Sequence, residues 1–179
     1  MLIDDLHNDL SVFYNNNFSE FKLGNPFFYR NNNELSWNNR LSDPKENDYE
    51  VEYNWIVENL QYSLSIEDIG LFQFYYYTKN NELLNANIMF LPNPYLSHQY
   101  IRFDFSPLDS KTYFHPEIHF HFGYPSNSMR IAIEKMPYPS SFMQFIFHLF
   151  GLHEFINFNN SKFILLNEKK ITNHLLKFQ

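Results

Sequence analysis

Two histidines, two arginines and an aspartate set the chemical question in this chain. Between Gln99 and His148 the sequence runs through QYIRFDFSP, HPEIHFHFG, MRIAIE and PYPSSFMQFIFH. Alternate residues of an extended strand point to the same side. If these segments are strands, Arg102 and Asp104, then His119 and His121, then Arg130 share polar faces, opposite Ile101, Phe103, Ile118, Phe120 and Ile131. Imidazoles give and take protons near neutrality, a carboxylate orients them, and guanidiniums stabilise anionic charge as it develops. Those types suit metal-independent, ribonuclease-like cleavage of a phosphodiester. His119 or His121 would serve as general base and acid, Arg102 or Arg130 would face the phosphorane-like charge, and Asp104 would orient an imidazole.

Two other chemistries compete for the same residues. His115, His119 and His121 form HxxxHxH, and HxH on a strand aims two imidazoles the same way, as a metal ligand pair requires. His115 precedes Pro116 and reads as loop, so these three are only weak metal candidates, and no cofactor is assigned. The plainest reading makes the face solvated, or covered by a helix or a partner. Cross-strand Arg–Asp and His–Glu pairs then contribute about 0.2–1 kcal/mol each. His148 and His153 flank an apolar helix end, where histidine complements the helix dipole. The chain lacks GxSxG, Walker A, GxGxxG and HExxH patterns, and its 4 glycines give no phosphate loop.

The elements that must hold these side chains follow from periodicity. Ile3, Leu6, Leu10 and Phe13 predict an amphipathic helix over residues 3–14. PFFYRNNNELSW predicts a hairpin or loop, DPKENDY an exposed loop, and Trp55, Ile56, Asn59 and Leu60 a helix of two turns. GLFQFYYYT and ELLNANIMFLP flank Lys79-Asn80-Asn81 as an antiparallel hairpin, with Leu84, Ala86, Ile88 and Phe90 on one side of its second strand. Strands over 99–105, 117–122 and 128–134 follow, the last two joined closely enough to pair antiparallel. Pro139 to Phe150 reads as a helix capped by Ser140 or Ser141, with a stripe of Phe142, Phe145, Ile146, Leu149 and Phe150. A last helix is expected over residues 168–178. The fold class is α+β: one domain over 1–179, with a mainly antiparallel sheet of five to seven strands and flanking helices. Residues 1–60 form a helical or loop part, 61–135 the sheet, and 136–179 the C-terminal helices.

Composition narrows the partners. Aromatics make up 20% of the 179 residues, a payload suited to half-buried sheet surfaces. No cysteine is present, which excludes disulfides and thiolate chemistry. No signal peptide and no apolar run of membrane-spanning length is visible, so a soluble, cytoplasmic protein is expected. The net charge is -7, and residues 1–70 carry 13 acids against 4 bases. That balance disfavours broad nucleic-acid binding through phosphate contacts and leaves a protein partner or a homo-oligomer as the expected association.

The ordered set Arg102, Asp104 and Pro107, then His115-Pro116, then His119, His121 and Gly123, then Arg130 and a proline-led aromatic helix resembles a bacterial family known as domain of unknown function 2290. FQFYYYT and NIMFLPNP resemble its central hairpin, so the likeness runs from about Gln61 to Phe150. One departure is Ala132, where the family tends to proline. The resemblance implies a bacterial single-domain protein with this strand order. It also implies a component of a defence or toxin–antitoxin-type system acting through protein contacts, which is the leading expectation, ahead of the ribonuclease-like enzyme.

Overall fold

The computed structural model describes residues 3–19, 22–37, 41, 48–97, 99–107, 116–123 and 129–151. The expected loop over 43–49, the helix over 168–178, His115 and His153 fall wholly or mostly outside them. The chain divides into two compact units, Met1–Phe142 and Met143–Gln179, and the sheet belongs to the first.

The fold is built around a long hairpin. Strand β4 (Gly70–Lys79) and strand β5 (Glu82–Pro92) pair antiparallel along their whole length. Asn80 and Asn81 link them with φ of 52° and 65°. A two-residue link whose twist matches the strands needs left-handed backbone at both positions, and asparagine tolerates that better than most residues. At the other end Gly70 lies so close to its partner strand that a Cβ there would collide with the Leu91 carbonyl oxygen. Proline at 92 closes β5 as expected.

Strands β6 (Ile101–Phe105), β7 (Ile118–Phe122) and β8 (Met129–Ala132) extend the sheet from β5, each antiparallel to its neighbour. The other side of β4 is shared by two short partners. Strand β2 (Glu34–Trp37) pairs its C-terminal half, and β3 (Leu64–Ile66) pairs its N-terminal half. Between them the Phe74 N–H donates to Ser63 Oγ at 3.0 Å, so the β4 ladder is satisfied across the gap. Strand β1 (Phe28–Arg30) pairs β2 and completes an eight-stranded antiparallel sheet. The α+β class and antiparallel sheet match the expectation. The PFFYRNNNELSW segment forms the hairpin that its pattern allowed, and the strand count exceeds seven only by β3, whose three residues are too few to show a period.

Both faces of the sheet are packed. On one, Phe72, Phe74 and Tyr76 of β4 and Ala86, Ile88 and Phe90 of β5 are buried. Helix α1 (Ile3–Asn17) lies against β2 and β4, with Ile3, Leu6, Leu10 and Phe13 buried as the spacing predicted. Phe142, in the first turn of α3 (Pro139–Leu149), sets its ring edge-on to Phe72, Phe74 and Phe103 at 5.8, 6.3 and 5.5 Å. Each such pair adds about 0.5–1.5 kcal/mol beyond its buried area. The start of α3 is not capped by its own serines: Asp9 of α1 accepts the Ser140 N–H at 2.9 Å and the Ser140 hydroxyl at 2.7 Å. The buried stripe of α3 is Phe142, Met143, Ile146 and Phe147, while Leu149 is exposed, a shift of the predicted face by part of a turn.

On the opposite face, α2 (Tyr49–Glu58) packs Tyr49 and Ile56 against Leu71, Leu91 and Tyr100. Asp48 caps it by accepting the Glu50 and Val51 amides. Leu60, expected in the apolar stripe, lies past the helix end with φ of 52° and is exposed. No helix among the described residues is long and apolar enough to cross a membrane.

Candidate functional site

The pleat that places Tyr100 under α2 carries Arg102 and Asp104 onward along the same face of β6. Register then decides what meets them. Arg102 stands across from His121 and Asp104 across from His119 on β7, and on β5 Met89 and Asn87 flank the same two residues. Four of the five residues singled out from the sequence therefore converge.

Asp104 is the hub. Its Oδ2 lies 2.9 Å from Arg102 Nε, 3.1 Å from His121 Nε2 and 3.5 Å from His119 Nε2. Its Oδ1 accepts the Asn87 side-chain amide at 2.7 Å. Burial alone would raise the Asp104 pKa; the hydrogen bond from His121, Arg102, and the charge of both imidazoles outweigh it and hold the carboxyl below the usual carboxylate range. The guanidinium of Arg102 also rests over the Tyr100 ring, 5.7 Å from its centroid.

The two imidazoles differ in what fixes them. His119 Nδ1 lies 2.8 Å from the Pro116 carbonyl oxygen. A carbonyl only accepts, so Nδ1 carries the hydrogen, and Nε2 faces Asp104 Oδ2 at 3.5 Å. His121 Nε2 sits between opposite demands, with an acceptor at Asp104 Oδ2 and a donor at Arg102 Nη2, 3.2 Å away. With a proton it serves the carboxylate; without one it serves the guanidinium. The rings lie 4.7 Å apart, centroid to centroid.

Exposure separates this site from the solvated face that sequence alternation allows. His119 and His121 are 1% and 0% exposed, whereas Phe122 on the apolar side is 49% exposed. Alternation was right, but in β7 the histidine side is the inward one. The cluster reaches the surface through Arg102, whose side chain is 25% exposed, and Asp104 at 14%. Arg130 is placed on β8 directly across from His121 by register. Among the described residues Asp104, His119 and His121 are also a donor set able to hold a metal, with their ligand atoms within 4.8 Å of one another. Of the expected trio, His115 lies outside the described residues, and Asp104 takes its place beside the two histidines. His148 lies exposed in the last turn of α3.

Sequence reasoning missed Asn87 and Pro116. Alternation put Asn87 on the right side of β5, but only register brings it to Asp104. The Pro116 contact depends on how the chain enters β7.

A family model described as an uncharacterized conserved protein, DUF2290, matches residues 24–100 and 95–178. The match extends beyond both ends of the stretch whose motifs carry the resemblance. No curated protein and no solved structure matches the chain.

Proposed function

This chain belongs to the DUF2290 family of uncharacterized conserved proteins, and from that premise we propose that it is a ribonuclease-like phosphodiesterase centred on Arg102, Asp104, His119 and His121. The observation that carries the reading is the convergence of two imidazoles and a guanidinium on one partly buried carboxylate oxygen. His119, its ring direction set by the Pro116 carbonyl, takes the proton of a ribose 2′-hydroxyl as that oxygen attacks phosphorus. His121, protonated beside Asp104, gives its proton to the departing 5′-oxygen as the P–O bond breaks. Arg102 receives the charge on the non-bridging oxygens. The products are a cyclic phosphate and a free 5′-hydroxyl, with no co-reactant consumed. Access comes through Arg102 and Asp104, whose side chains are 25% and 14% exposed. The reaction belongs to the cytoplasm, where RNA is the available substrate.

The test is cleavage of single-stranded RNA and DNA by the purified protein, with and without EDTA, beside a His119→Ala/His121→Ala variant. RNA cleavage that survives EDTA and is lost in the variant is the expected result. Equal activity in both proteins, or none in either, refutes the proposal.

A second reading keeps the chain as a component of a defence or toxin–antitoxin-type system acting through protein contacts. It draws on Phe122 and Ile131, 49% and 40% exposed on the apolar side of the strands behind the site. Sizing and pull-down with proteins encoded next to it separate the readings, and a strict monomer capturing none of them counts against this one.

A further inference from the structure

The histidine pair and its carboxylate meet a second set of requirements, those of a transition-metal centre. We infer that Asp104, His119 and His121 bind one divalent metal ion of the zinc class, in exchange for the Arg102 guanidinium.

Spacing comes first. A tetrahedral ion with bonds of about 2.0–2.1 Å holds its ligand atoms about 3.4 Å apart. Asp104 Oδ2 lies 3.1 Å from His121 Nε2 and 3.5 Å from His119 Nε2. The whole donor set lies within 4.8 Å, so two edges already match and binding draws the two imidazoles together by rotation of their side-chain torsions. Donor type comes second. Two imidazole nitrogens and one carboxylate oxygen suit zinc, cobalt, nickel or ferrous iron, whereas calcium and magnesium prefer oxygen alone.

The third argument is the shell behind the ligands. A metal-bound imidazole donates its other N–H to a fixed acceptor, which sets the ring's direction and tautomer. His119 does this through Nδ1 to the Pro116 carbonyl at 2.8 Å. Asp104 is held in the same way, because Asn87 occupies Oδ1 at 2.7 Å and leaves Oδ2 facing the histidines. Both contacts fix the direction of a donor atom.

Arg102 is the competing cation. It lies 2.9 Å from the same carboxylate oxygen and 3.2 Å from His121 Nε2, the two atoms a metal would take. A guanidinium and a dication repel strongly at such distances. Metal entry thus requires Arg102 to turn outward, which its partial exposure allows. The inference shares its residues with the proposed cleavage reaction and gives that site a regulator. In the loaded protein both Nε2 atoms are ligands and cannot carry protons, so bound metal blocks cleavage.

The experiment is a Co²⁺ titration of the full chain, followed by visible ligand-field absorption, with Zn²⁺ displacement as a competition. One equivalent of Co²⁺ per chain with intense tetrahedral bands, bleached by Zn²⁺, is expected. Asp104→Asn and His119→Ala lose the bands, each checked by circular dichroism for native fold. Arg102→Gln keeps all three ligands and removes the competing cation, so it binds about tenfold tighter or more. Absence of bands in the wild type and Arg102→Gln, or bands unchanged in the ligand variants, overturns the inference. Failure is separable from failure of the cleavage reading. RNA cleavage in EDTA without Co²⁺ binding removes the metal site alone, and Co²⁺ binding without cleavage removes the enzyme alone.

Discussion

At the level of single residues, the site is a problem of competing demands on one carboxylate oxygen. Asp104 faces three nitrogens within 3.5 Å, and Asn87 secures its second oxygen. Asn87→Ala frees the carboxylate to rotate. Cleavage should fall by about 10–100-fold, the usual loss when a group that orients a site is removed, with little change in KM or in the circular dichroism spectrum. An unchanged kcat would show that Asp104 needs no such restraint. Legibility ends at the same scale. Arg102, Asp104, His119 and His121 could be named from the sequence because a two-residue period sorts a strand's side chains without knowledge of its neighbours. Asn87, Pro116 and the burial of both histidines could not, since each depends on register or on what covers the face.

At the level of elements, the strands and helices were legible where many residues repeat a pattern and illegible where few do. Helix α1 and the β4–β5 hairpin followed from long periodic runs. Strand β3, with three residues, carries no period, and its place beside β4 is fixed by pairing alone. Helix α3 was visible, but its buried face was misjudged because Phe145, Leu149 and Phe150 are as apolar as the residues that turn inward. Its cap lies 131 residues away, in the Asp9 carboxylate. Asp9→Ala should therefore lower stability by about 1 kcal/mol, the normal loss of a helix cap, read as a reduced urea midpoint with unchanged slope. Ser141→Ala, outside that contact, serves as the control. Equal effects of the two substitutions would contradict the remote cap.

At the level of the whole molecule, aromatic burial on both faces of one sheet determines the response to alkali. Burial pushes Tyr53 up to about 12 and Tyr49 further, and it raises buried Tyr76 as well. In the unfolded chain these phenols ionise near pH 10. A raised folded-state pKa means that the unfolded state releases protons first. The stabilisation is thus complete below pH 10 and lost as pH climbs through about 12. Urea melts from pH 8 to pH 11.5 should give a falling midpoint above pH 10, with tyrosinate absorbance rising in the same transition. Early, independent ionisation of all tyrosines in a folded protein would contradict this packing. The claim on which the functional account turns is that the buried cluster acts as one unit, and a double-mutant cycle on RNA cleavage tests it directly. Arg102→Ala and His121→Ala should each lower kcat by about 10²-fold or more, and the double variant should fall little below the worse single. Losses that multiply, wild-type rates in either single variant, or a wild type that cleaves nothing would contradict it.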